Sequence, residues 1–268
     1  MGLDISICIN VDTRPENDTN KEMFNGVVSR DFLIEGVKNK INLFNGFEKE
    51  VIVFCDMHEP IDEKTLAEMS LLCDTLIIRK HDKRFEDVDN FNGFNDMNYI
   101  NALSQCRGAF VFHFDGDVAA FAPNQDAIKG WIELLKEYDY ISYPSLFSPN
   151  PDRNDNYNYW WISTRFFCCK RSTLDFTEII KCQLNYDYMF SEYPASVRNH
   201  WLEHILGVMA KFKGKGVLYP EIDLDKIILF TWENYHKYTL QRLNNQTYDE
   251  VKKWVQSKNY HYPCNLTI

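Results

Sequence analysis

Two aspartates separated by one glycine, Asp115-Gly116-Asp117, directly follow the apolar run Ala109-Phe110-Val111-Phe112-His113-Phe114. Residues two apart in an extended segment point the same way, about 6.6 Å apart, so both carboxylates can address one hydrated cation and a sugar-phosphate beside it. Hard Mg²⁺ or Mn²⁺ takes one or two carboxylates plus substrate phosphate oxygens rather than a complete protein cage. Gly116 lets the backbone approach closely. The plain alternative is an acidic turn after a strand, and the tripeptide alone does not separate the two. Two further acids, Asp12 and Asp56, also end β-rich runs, Ile5–Val11 and Val51–Cys55. In open α/β sheets ligands bind outside the carboxyl ends of the strands, so a single crevice accounts for Asp12, Asp56 and the 115–117 segment together.

A second constellation is His200-Trp201-Leu202-Glu203-His204, which opens a helical stretch. Histidines four apart share a helix face and can bind zinc while the intervening Glu activates water, the H-x-x-E-H pattern of one class of metallopeptidase. A zinc peptidase of that kind also needs a carboxylate well downstream, for which Glu221, Glu233 and Glu250 remain, and it leaves the strand-end acids without a role. Glu203 is otherwise a candidate general base or a solvated helix carboxylate. His113, inside its apolar run, reads as a core residue. Trp160 and Trp161 suit a stacking platform or core packing equally.

The elements that must position these groups follow from periodicity. Ile5–Val11 alternates and stops at Asp12-Thr13-Arg14-Pro15, a strand ended by turn chemistry. Val28, Phe32, Val37, Ile41 and Phe44 recur at helical spacing and Gly46 stops them. Val51–Cys55 and Thr75–Ile78 read as strands with a helix over Glu63–Leu72 between them, and a helix near Asp96–Cys106 precedes the run that ends at Asp115. This is the rhythm of βαβ units around a largely parallel sheet. Beyond it come a helix near Gln125–Leu135, a strand near Tyr140–Tyr143, an Asn-rich loop over Ser148–Tyr159 and a strand over Trp160–Cys169. Helices over Leu174–Leu184 and Arg198–Lys211, a short strand over Gly216–Tyr219 and a two-piece helical tail over Glu233–Trp254 complete the chain.

One α/β domain accounts for 268 residues, with 45% hydrophobic and 25% charged residues and no repeat or linker-like tract. Lys and Arg total 29 against 39 Asp and Glu, a net charge of -10, which disfavours unaided wrapping of a polyanion. Local basic patches are confined to Arg79, Lys80, Lys83 and Arg84, and to Lys211, Lys213 and Lys215. The eight cysteines sit mostly in apolar runs without CxxC spacing, as buried free thiols do. No basic, cleavable leader and no apolar run of about 18 residues is evident, so the expected location is the cytoplasm, without a membrane span. The sequons at Asn17, Asn245 and Asn265 carry no meaning there.

The block from Asn95-Asp96 through Arg107-Gly108-Ala109 to Asp117 resembles the helix, strand and DxD segment of GT-A fold glycosyltransferases, especially the family two-like group. The resemblance spans about residues 3 to 145. It implies a Rossmann-like single domain with a mainly parallel central sheet flanked by helices, in which 1–120 bind a nucleotide sugar, 121–230 bind the acceptor and 231–268 form a helical tail. It further implies Asp117 on a Mn²⁺ or Mg²⁺ ion and Asp115 on the ribose side or the metal. Asp12, Arg14, Asp56 and Asp96 fall at the nucleotide. Arg14-Pro15 and the solitary Asp56 depart from the family's usual turns, leaving the base open. Inverting members place an acidic base on a helix like that of Glu203, and some members complete the metal site with a C-terminal histidine, here His236. The implied activity is transfer of a sugar from a nucleoside diphosphate to a hydroxyl on a glycan, lipid-linked sugar, protein or hydroxymethylated DNA base. A nucleotidyltransferase of related fold would show a Gly- and Arg-rich loop after the first strand, whereas residues 12–26 hold one glycine. A catalytically inert sugar-binding module is the remaining alternative.

Overall fold

The computed structural model describes residues 4–12, 30–57, 61–80, 93–116, 118–143, 161–193, 202–219, 228–231 and 244–257. In chain order the elements are β1 (Ile5–Asp12), α1 (Arg30–Leu43), β2 (Lys49–Met57), α2 (Glu63–Leu72), β3 (Thr75–Lys80), α3 (Gly93–Gln105) and β4 (Phe110–Asp115). There follow β5 (Val118–Phe121), α4 (Asp126–Leu134), β6 (Tyr140–Ser142), β7 (Phe166–Lys170), α5 (Phe176–Leu184), α6 (Tyr186–Glu192) and α7 (Leu202–Lys213). The last elements among the described residues are β8 (Val217–Leu218), β9 (Ile228–Thr231) and α8 (Tyr248–Ser257).

The main sheet runs β3-β2-β1-β4-β7-β6-β8. β1 pairs in parallel with β2 and with β4, and β2 in parallel with β3. β7 runs antiparallel between β4 and β6, and β8 is parallel to β6. This is the mainly parallel α/β sheet that the alternation of apolar runs and helical spacing implied.

The central strands β1, β2, β4 and β7 are buried on both faces, which is why they read as nearly unbroken apolar runs. Ile5, Ile7, Ile9, Val51, Val53, Phe112 and Phe114 face a core closed by α1 through Leu33, Ile34 and Val37 and by α8 through Val251 and Val255. The alternate residues Cys8, Ile52, Phe54, Val111 and Phe167 face a second core with α3, α5, α6 and α7, through Ile100, Leu103, Ile179, Met189 and Leu206 among others. The seven described cysteines are free, and all but Cys73 are buried.

At the amino end of the strands a buried carboxylate fastens α3 to the sheet. Glu50 accepts from the Ser6 hydroxyl, from Arg107 Nε at 2.8 Å and from the Arg107 and Gly108 backbone N–H groups, and Arg107 Nη2 lies 2.7 Å away. Burial raises the Glu50 carboxyl, but the Ser6 and Arg107 hydrogen bonds and the guanidinium charge outweigh it and hold it below its ordinary value. Gly108 is required here, since a Cβ would stand 2.5 Å from the Ile5 and Ser6 backbone.

Several expectations need correction. The strand expected over 160–169 is confined to Phe166–Lys170, because the backbone before it bonds outside a ladder: Ile162 N–H donates to Glu203 O at 3.0 Å and Ser163 N–H to Ser142 Oγ at 2.8 Å. A single residue, Asn185, separates α5 from α6 and caps α6 by accepting from Tyr188 N–H. The antiparallel pair β5–β9 has no counterpart in the sequence reading, and it brings Thr231, expected in the tail, opposite Val118.

Candidate active site

β1, β2 and β4 lie side by side and end together. In the ladder Asp12 stands opposite Asp56 and Asn10 opposite Asp115, so the acids named from the sequence converge at the carboxyl edge of the sheet. Asp56 is buried, with Arg79 Nη1 of β3 at 3.9 Å. Asp96 falls within α3, which packs on the same part of the sheet. Arg14, Asp117 and His236 lie outside the described residues, as do the side chains of Asp12 and Asp96.

Asp115 is the centre of the described part of the site. Its Oδ1 accepts from Tyr99 OH at 3.0 Å, with Asn10 Nδ2 at 3.5 Å, and His113 Nε2 sits 3.7 Å away. Asn10 also donates to Tyr99 OH. His113 is fully buried, stacked on Phe167 with ring centroids 4.9 Å apart and set edge-on to Tyr99 at 5.4 Å. Burial works against the charge of Asp115, but His113, Tyr99 and Asn10 together outweigh it and keep the carboxyl below its usual range. The aspartate is therefore held ionised at neutral pH.

Its other oxygen reaches the second half of the chain. Thr164 Oγ1 is 3.3 Å from Asp115 Oδ2 and 2.9 Å from Glu203 Oε1, and Thr164 N–H donates to the same Glu203 oxygen at 2.7 Å. The hydroxyl carries one proton and can donate to one carboxylate at a time. Glu203 is nearer, which leaves Asp115 Oδ2 the less satisfied oxygen and the one suited to a ribose hydroxyl or a hard cation. Glu203 stands in the first turn of α7, a helix whose Leu202, His204, Ile205, Leu206, Val208 and Ala210 are buried, so its position is set by packing.

Beneath this acidic edge, Gly116 presses on β1: a Cβ there would meet Asn10 O at 2.9 Å. Lys40 of α1, fully buried, donates to Gly116 O at 3.0 Å. Asn10, Tyr99, Thr164 and Lys40 were not singled out by the sequence. Asn10 and Tyr99 carried a signal, being polar groups on a strand end and on the helix before the DxD. Lys40 and Thr164 carried none.

Among the described residues no group of three or more His, Cys, Asp or Glu side chains could hold a metal ion. Asp115 supplies one hard oxygen, which fits a cation completed by substrate phosphates and a second acid, not a closed protein cage. For a zinc site on α7 the geometry is unfavourable: His204 is fully buried against Trp161, with ring centroids 6.1 Å apart, and Glu203 is turned to Thr164. Trp161 is likewise a core residue, its carbonyl accepting from Tyr219 OH at 2.7 Å. No helix among the described residues is long and apolar enough to cross a membrane.

Comparison with known proteins finds no matching family model and no matching curated protein. Solved structures do resemble the chain. The galactosyltransferase LgtC, in complex with donor and acceptor sugar analogues, is 11% identical, covers 81% of this chain and 73% of its own, and has a TM-score of 0.44. The mannosyltransferase PcManGT from Pyrobaculum calidifontis, in complex with GDP-Man and Mn²⁺, is 14% identical over 80% of this chain and 54% of its own, with a TM-score of 0.41. A cytidylyltransferase from Leptospira borgpetersenii is 14% identical over 97% of this chain and all of its own, with a TM-score of 0.45. These are likenesses of fold.

Proposed function

We propose that the chain is a glycosyltransferase that moves a sugar from a nucleoside diphosphate to an acceptor hydroxyl, with inversion. The observation that carries this is the meeting of Asp115 and Glu203 at one threonine hydroxyl. An acid at the end of a central parallel strand is where an α/β sheet receives a nucleotide. A carboxylate brought beside it from the far half of the chain is what deprotonation of an attacking hydroxyl requires. Both are found within 3.3 Å of Thr164 Oγ1.

In this account Asp12, Arg14, Asp56 and Asp96 contact the nucleotide and Asp115, held ionised by Tyr99, Asn10 and His113, receives the ribose at its open oxygen. Asp117, with Asp115 and His236, would hold Mn²⁺ or Mg²⁺, which when bound neutralises the charge of the departing diphosphate. Residues 1–120 form the donor half and 121–230 the acceptor half. Glu203 takes the proton of the attacking hydroxyl on a glycan, a lipid-linked sugar, a protein or a modified DNA base. Thr164 N–H orients the carboxylate for that task.

The test is a thermal-shift panel of nucleotide sugars with and without Mn²⁺. A donor present at 100 times its Kd should stabilise the protein by about 2.7 kcal/mol, and only when the cation is present. A panel in which no nucleotide sugar moves the transition contradicts the proposal.

A further inference from the structure

One charged residue near the site has no part in that account. Lys40 is fully buried, and the bonds it makes include one to Gly36 O at 3.2 Å within its own helix and one to Gly116 O at 3.0 Å. Burying an ammonium carries a large desolvation penalty that an apolar side chain of similar volume avoids, so packing on α1 does not by itself favour a lysine here. Gly116 O belongs to the peptide that joins Gly116 to Asp117, and its position decides where the second acid starts.

The neighbouring residue acts on the other side of the same turn. Asn39 Oδ1 accepts from Ala120 N–H at 2.8 Å, and Asn39 Nδ2 donates to Asn244 Oδ1 at 3.0 Å. Asn244 in turn donates to Glu35 O at 3.1 Å. Consecutive residues of α1 therefore hold the chain one residue before Asp117 and three residues after it, while β1 crowds Gly116, where a Cβ would meet Asn10 O at 2.9 Å.

We propose that Lys40 is a positioning residue: a buried cation that fixes the Gly116 carbonyl and so holds the end of β4, and with it Asp115, where a cation-bound nucleoside diphosphate is received. This rests on the glycosyltransferase account above.

The test compares wild type with Lys40→Met by calorimetry of UDP, GDP and CDP in the presence of Mn²⁺, alongside melting curves of the free proteins. Lys40→Met removes the charge and the hydrogen bond while filling the space, and should melt within about 4 °C of wild type. Its Kd for the nucleotide that wild type binds should rise about 10- to 100-fold, the span for loss of one charge-assisted hydrogen bond. An unchanged Kd in a folded Lys40→Met protein overturns the role of Lys40 and leaves the glycosyltransferase account standing. If wild type itself binds none of the three, both fall. If Lys40→Met does not fold, the wild-type protein decides. The Lys40 ammonium should give a slowly exchanging NMR signal that shifts when Mg²⁺ and the nucleotide are added, and a signal that stays in place overturns the proposal.

Discussion

Substitution of Glu203 separates two roles that the structure superposes. The side chain accepts two hydrogen bonds at Oε1, from Thr164 N–H at 2.7 Å and Thr164 Oγ1 at 2.9 Å, and so latches the turn after residue 163 to the start of α7. It is also the candidate base. Glu203→Gln keeps a carbonyl oxygen able to accept both bonds and removes the basicity. Glu203→Ala removes both and strands a backbone donor, which costs about 1–3 kcal/mol, equivalent to about 2–4 °C for each kcal/mol in a chain of this size. The expected pattern is therefore a Glu203→Gln protein that melts within about 2 °C of wild type and binds donor normally, yet transfers sugar about 10²- to 10⁴-fold more slowly. Glu203→Ala should combine that loss with a lower melting temperature. Melting curves, donor calorimetry and a transfer assay on the same preparations read all three quantities. Near-wild-type turnover in Glu203→Gln would refute the base assignment and leave Glu203 a latch alone.

Further outcomes follow from other residues. Asp117→Asn should abolish cation-dependent nucleoside diphosphate binding, because the diphosphate is repelled by the acidic edge unless a cation intervenes; calorimetry in EDTA should show the same loss for wild type. His236→Ala should weaken donor affinity in the presence of Mn²⁺, because one of the three groups proposed to hold the cation is lost; an affinity equal to wild type would remove His236 from that site. Glu50→Gln should destabilise by about 2 kcal/mol at pH 7, the value of hydrogen bonds to a charged group. The Glu50 carboxyl is depressed in the fold, so its contribution is present above its ordinary value of 4.5 and is lost as pH falls through the lower folded value. The melting difference between wild type and Glu50→Gln should accordingly shrink in acid, and a difference constant down to pH 3 would refute the assignment. Gly108→Ala should destabilise strongly, because its Cβ has backbone atoms at 2.5 Å.

The parallel half of the sheet was legible because its central strands β1, β2 and β4 are buried on both faces and each helix carries one apolar stripe; Glu63–Leu72 was read to the residue. The β5–β9 pair was not, since four-residue strands such as Val118–Phe121 have no period long enough to register and are defined by a partner more than 100 residues away. The candidate site shows the same division. Asp12, Asp56 and Asp115 were found because strand ends are marked locally by turn chemistry. Thr164 was not, because its importance arises from where α7 places Glu203, a tertiary fact. Lys40 sits at an i+3 position from Val37 in an apolar stripe and reads as a solvated helix charge, whereas the fold buries it completely. His113 was correctly read as buried, but nothing in its apolar run announced that it would stand 3.7 Å from Asp115.

The most direct measurement is product analysis after incubation with a panel of nucleotide sugars and Mn²⁺. Release of a nucleoside diphosphate from at least one donor, abolished by EDTA and by Asp117→Asn, is the predicted result. Release from no donor, or formation of pyrophosphate from a nucleoside triphosphate and a sugar phosphate, would contradict it and favour a nucleotidyltransferase.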